Sequence, residues 1–252
     1  MLNNQQSAPA LAALITDQNG RTALHQAAAK GTLSNLSGVT AELLANVKDN
    51  DGWTPLHAAA NHGHLDQIPG LTAEFLATVK DNDGWTPLHL AADYGYLAQI
   101  PGVTAEFLAT VKNKYGETPL HYTARNGYLK QVPGVTAKLL ATLQDHDGNT
   151  PLHYAALHRR LDQIGDLTIR LAEELGILSA TLQPKNIFVF TEAFRRHGAA
   201  YNKRPAIRRA LLRAAHALPR LTAPQRSVLR ATLSAAQKGE FMLTPKARAK
   251  LL

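Results

Sequence analysis

The tetrapeptide Thr-Pro-Leu-His begins at Thr54, Thr86, Thr118 and Thr150, one copy every 32 residues. A degenerate copy, Thr22-Ala23-Leu24-His25, stands 32 residues before the first. A fixed period in the range of about 20–50 residues means a stack of like units, each burying its apolar face against its neighbours. Stacks of this kind usually bind other molecules and rarely catalyse.

The local chemistry of one period is readable. Asp51-Gly52, Asp83-Gly84 and Asp147-Gly148 are turn pairs, and Asn19-Gly20 and Tyr115-Gly116 occupy the same place. The threonine after each turn suits a helix N-cap, and the proline then falls on the first helical position, where its missing N–H costs nothing. Leu56, Ala59 and Ala60 share one helical face. Gly31, Gly63, Gly95 and Gly127 fit the left-handed residue that closes a helix. The second half of each period is broken by Pro69-Gly70, Pro101-Gly102 and Pro133-Gly134. A new helical start follows at Thr72, with Glu74 in its first turn. One good helix and two short helical pieces are expected per period.

The run Asp81-Asn82-Asp83-Gly84-Trp85-Thr86-Pro87-Leu88-His89-Leu90-Ala91-Ala92, closed by Gly95, resembles the ankyrin repeat, whose motif is T-P-L-H-x-A at a period near 33. The resemblance covers about residues 8–175. It implies an all-α solenoid: a partial capping repeat over 1–16, then five repeats over 17–175 starting near 17, 49, 81, 113 and 145. The broken second half, with its Leu-Asp-Gln-Ile-Pro-Gly sequence, is similar to that of bacterial ankyrin proteins. The fifth repeat departs from the pattern, with Arg159 for Gly and Gly165-Asp166 for Pro-Gly.

The net charge of +8 hides two unlike parts. Residues 1–182 hold 12 Lys and Arg against 17 Asp and Glu, and residues 183–252 hold 15 against 2, a net of +13. Such asymmetry suggests parts with different roles. The segment over 176–252 is expected to be a small basic helical region. One helix is predicted over 205–218 and another from Thr222, with Gln225 at capping-box spacing, to Gly239. Arg195, Arg196, Arg208, Arg209, Arg213, Arg226 and Arg230 are its candidates for nucleic acid or an anionic surface. A solvated basic surface, an acidic protein or membrane partner, and docking on the acidic repeats stay open beside that reading.

The chain has no cysteine, which excludes disulfides, thiolate metal sites and a cysteine nucleophile. No apolar run reaches the roughly 18 residues of a membrane span. The first residues make a poor signal peptide. A cytoplasmic, monomeric protein is expected, with export by a specialised machine as the alternative. No phosphate-binding glycine loop and no G-x-S-x-G motif is present, so no catalysis, cofactor or metal is expected. The evenly spaced His25, His57, His89, His121 and His153 invite a metal ladder. Copies one repeat apart lie roughly 10 Å from each other, too far to share an ion at Zn–N distances near 2.0–2.1 Å. The resemblance implies instead that these histidines tie turn backbones and neighbouring repeats together.

The ankyrin resemblance implies a protein partner, held on a concave face lined by turn tips and first-helix ends. Carried over, the candidates are Asp51, Trp53, His62, Asp83, Trp85, Tyr94, Tyr115 and Arg125. Aromatic residues and arginine are the types that dominate protein interfaces. Trp53 and Trp85 occupy one equivalent position in near-duplicate repeats, so packing filler is an equal reading of both. A purely structural scaffold is the third functional alternative.

Overall fold

The computed structural model describes residues 17–158 and 160–167. The partial repeat expected over 1–16, the end of the array near 175 and the basic region over 176–252 lie outside them, as do the seven arginines that are its candidates for nucleic acid. The chain divides into two compact units. The first holds the described residues up to Val135 together with Leu143–Gly148; the second holds Thr136–Thr142 and the described residues from Asn149 onward. Among the described residues the regular elements are all helical.

The first unit repeats one three-piece pattern. Its long helices are α1 (Ala23–Lys30), α3 (Pro55–His62), α5 (Pro87–Tyr94) and α7 (Pro119–Asn126). Each is followed by a single 3-10 turn: Leu33–Asn35, Leu65–Gln67, Leu97–Gln99 and Leu129–Gln131. The short helices α2 (Ala41–Asn46), α4 (Ala73–Thr78) and α6 (Ala105–Leu108) complete the first three of these periods. The Pro-Gly pair produces this break: proline cannot continue the turn, and glycine then takes a positive φ of +75° at Gly70. Thr40, Thr72 and Thr104 restart the chain, each hydroxyl accepting the N–H three residues on at 3.2 Å.

The long helices stack in order, α1 on α3, α3 on α5 and α5 on α7. The leucine of each Leu-His pair is fully buried, at 0 % exposure for Leu24, Leu56, Leu88 and Leu120. Burying each contributes roughly 2–3 kcal/mol. Ala59 and Ala91, on the same face, let the next helix approach closely.

In the first three repeats the histidine beside that leucine joins each repeat to the next. The Thr54 N–H donates to His57 Nδ1 at 3.1 Å, so Nδ1 carries the lone pair and the proton sits on Nε2. Nε2–H donates to the carbonyl of Trp85 in the next repeat at 3.1 Å. His25 reaches the Trp53 carbonyl in the same way at 3.0 Å, and His89 the Glu117 carbonyl at 3.2 Å.

The turns form a second line of contact. The Asp49 carboxylate accepts the N–H groups of Asp51 and Trp53 at 3.0 and 2.8 Å, fixing its turn from within. Main-chain bonds then run from tip to tip. The N–H groups of Asn50, Asn82, Lys114 and His146 donate to the carbonyls of Asn19, Asp51, Asp83 and Tyr115 at 2.9–3.1 Å.

The second unit contains α8 (Ala137–Thr142), α9 (Pro151–Leu157) and a 3-10 turn at Leu161–Gln163; α8 packs on α9. Here the departure at Gly165-Asp166 has a use. The Asp166 carboxylate accepts the Ala137 N–H at 2.9 Å, the bond that the Pro133 carbonyl gives Ala105 one repeat earlier at 2.9 Å.

Burial lowers the pKa of both His57 and His89 to about 4. In the unfolded chain both return to about 6.5. Between those values the unfolded state binds more protons, so this stability is full above about pH 6.5 and lost as pH falls to about 4, on the order of 3 kcal/mol per histidine. Urea unfolding across this range is expected to show that loss. The His57→Gln/His89→Gln variant is expected to be less stable at pH 7 and to have a shallower acid slope. A second comparison isolates backbone strain from crowding. Gly70→Ala, with open space around the new methyl, is expected to cost about 1–2 kcal/mol for its positive φ. Gly95→Ala, at φ +82° with the Tyr128 ring only 2.8 Å from the new carbon, is expected to cost clearly more in the same unfolding assay.

Candidate functional site

The candidate residues fall into two rows, at the turn tips and at the C-terminal ends of the long helices. Side chains of repeats three and four connect the rows. At the helix ends, Asp93 of α5 accepts from Arg125 Nη2 and Asn126 Nδ2 of α7, both at 2.6 Å. The Arg125 guanidinium also lies 5.0 Å from the Tyr122 ring. The Tyr122 ring in turn meets the Trp85 indole, with centroids 4.6 Å apart and planes tilted by 48°. The Tyr122 hydroxyl donates to the Glu117 carboxylate, and Asn113 Nδ2 donates to the same carboxylate at 3.0 Å. Burial, and then Glu117, push the Tyr122 pKa upward, so its proton stays in place. Asn113 Oδ1 finally holds the tip itself, accepting from the Tyr115 N–H at 2.9 Å. An unbroken line of contacts thus runs from Asp93 to Tyr115.

The sequence candidates divide by environment. Tyr94 and Tyr115 are the large apolar side chains left exposed among the described residues, at 48 % and 47 %. Asp51 and His62 are exposed, and His62 Nδ1 lies 3.0 Å from the Ala58 carbonyl. Asp83 is half-buried and paired with Lys114. Arg125 is half-buried and paired with Asp93.

Trp53 and Trp85 are both half-buried. Trp53 stacks on His57 at 6.0 Å, and Trp85 lies 5.8 Å from His89 as well as against Tyr122. Each indole therefore packs on the lattice histidine of its own repeat while keeping part of its surface open. His25, His57 and His89 have both ring nitrogens engaged as described. Among the described residues no group of three or more His, Asp or Glu side chains is placed to hold a metal ion.

Two contributors escaped the sequence reading, Tyr122 and Asn113. Both stand where the repeat pattern changes. Asn113 replaces the turn aspartate of Asp49, Asp81 and Asp145; Glu117 replaces Trp53 and Trp85; Tyr122 replaces Ala58 and Leu90. The three changes form one bonded set. An aspartate at 113 keeps the turn but loses the amide donor and faces Glu117 with a second negative charge.

Family models of ankyrin repeats match the chain in three copies, over residues 2–74, 34–100 and 103–167. The chain belongs to the ankyrin-repeat family. Ankyrin repeats are generally protein–protein interaction modules and are typically non-catalytic. No curated protein shows a significant match. Among the described residues of this ankyrin protein no helix is long and apolar enough to cross a membrane.

Asn113→Asp is expected to destabilise the ankyrin array by about 1–3 kcal/mol, the cost of an unpaired buried polar contact. Restoring the third-repeat residues together, as Asn113→Asp/Glu117→Trp/Tyr122→Leu, is expected to cost less than the sum of the three single changes. Chemical unfolding of the four variants measures the coupling, and strict additivity would remove the bonded set as a unit.

Proposed function

We propose that this chain is a non-catalytic adaptor that holds a protein partner on the face bearing Trp53, Trp85, Tyr94, Tyr115 and Arg125. The observation that carries this reading is the pairing of a rigid floor with open aromatic ends. Arg125, Tyr122, Trp85 and Asn113 are locked by one another, while Tyr94 and Tyr115 stand exposed at the helix-end and tip rows. An ordered floor loses little conformational freedom on binding, and exposed tyrosines supply large contact area with few rotatable bonds. Trp53 and Trp85 then act in both capacities, as packing against the lattice histidines and as the open flank of the floor.

The test compares affinity with stability. Tyr94→Ala and Tyr115→Ala are each expected to weaken capture of a partner by about tenfold or more, in line with interface hot spots, while shifting the unfolding midpoint little. Loss of stability without loss of binding would leave the scaffold reading in its place. The charge of residues 183–252 favours a second reading, attachment to nucleic acid through Arg195, Arg196, Arg208, Arg209, Arg213, Arg226 and Arg230. It is distinguished by binding of the full chain to generic duplex DNA or RNA that falls steeply with salt, as phosphate contacts require.

A further inference from the structure

The tip row bears one residue per repeat at an equivalent position: Asp51, Asp83, Tyr115 and Asp147. The main-chain bonds from tip to tip align them as a ridge. Three cations of this face are already engaged by the protein's own acids, and Lys48 Nζ donates to the Lys80 carbonyl at 2.9 Å. Arg21 pairs with Asp49 at 3.3 Å, Lys114 with Asp83, and, at the helix ends, Arg125 with Asp93 at 2.6 Å. Asp51 and Asp147 are exposed, and among the described residues neither has an ion-pair partner. The Asp81 carboxyl within the third turn is held above its usual range, by burial first and with Asp83 adding to it. Among the described residues Asp51 and Asp147 thus carry negative charge without an ion-pair counterpart, and between them stands the half-exposed Tyr115 ring, with Lys114 Nζ 5.2 Å from its centroid.

Resting on the reading of this face as a protein-binding surface, we infer that its partner presents a basic, extended segment along the ridge, with Lys or Arg on Asp51 and Asp147 and an apolar residue between them over Tyr115. Charge complementarity selects this occupant. An acidic segment meets the carboxylates of Asp51 and Asp147, while Arg21, Lys114 and Arg125 are each already held by an acid of the protein itself. The geometry sets a spacing. Neighbouring helices pack about 8–10 Å apart and an extended chain advances about 3.3–3.6 Å per residue, so the segment crosses one repeat in about three residues. Asp51 and Asp147 are three repeats apart, which places the two basic positions about nine residues from each other.

The experiment selects binders of the full chain from a displayed library of random peptides about fifteen residues long, long enough to span three repeats. Binders of the Tyr94→Ala/Tyr115→Ala variant are removed by counter-selection. Tyrosine-dependent sequences enriched in Lys and Arg are the expected result. One such peptide, synthesised, is expected to bind the Asp51→Asn/Asp147→Asn variant at least tenfold more weakly at low salt, and the control Asp66→Asn, an exposed acid off the ridge, as well as it binds the parent. Tyrosine-dependent peptides that are acidic or neutral overturn the inference and leave the binding face standing. Basic peptides indifferent to Asp51 and Asp147 also overturn it. If no selected peptide depends on Tyr94 or Tyr115, the binding face itself fails, and the inference with it.

Discussion

One imidazole in each of the first three repeats, with its two nitrogens facing opposite ways, is the interaction on which the stack there depends. Nδ1 of His57 closes the start of its own helix by accepting the Thr54 N–H, and Nε2 reaches the Trp85 carbonyl of the next repeat. The first bond dictates the tautomer that makes the second possible. A lysine or glutamine could satisfy one of these demands. Only a neutral ring with an acceptor on one side and a donor on the other satisfies both at this distance. The cost is burial of a titratable group, and the lowered pKa values of His57 and His89 record it.

Much of the architecture was legible because the repeat writes each local rule several times over. Turn aspartate, capping threonine, first-turn proline and closing glycine each appear in register, and the break at Pro69-Gly70 predicted the three-piece period. The candidate site was legible only as a set of positions. Whether Trp85 faces a partner or fills a gap turns on what stands opposite it, and that residue, Tyr122, lies 37 positions away in a different repeat. A helix pattern registers Tyr122 as one more buried residue. Its meaning emerges when it is read with Asn113 and Glu117, three departures from the repeat that answer one another across a turn.

The face also separates two uses of charge. Arg125 is oriented by Asp93 and supported by the Tyr122 ring, so it contributes shape and rigidity before it contributes attraction. Lys114 is tied to Asp83 in the same spirit at the tips. The solvent-facing Lys114–Asp83 pair adds little stability, and the value of both pairs here is in holding long side chains still. The fifth repeat solves a related problem with a side chain instead of backbone: Asp166 supplies from its carboxylate what the Pro133 carbonyl supplies one repeat earlier. The lattice tolerates sequence drift where an equivalent acceptor arrives at the same N–H.

The reach of these bonds has a consequence for how the protein comes into being. The histidine links span 28 residues, the tip bonds 31, and the bond from Gln99 to the Gly63 carbonyl 36. Each repeat therefore meets its docking surface as soon as about one further period of chain has been made, without waiting for distant segments. On the ribosome, the stack can be laid down in the order of synthesis, every finished repeat serving as the template for the next.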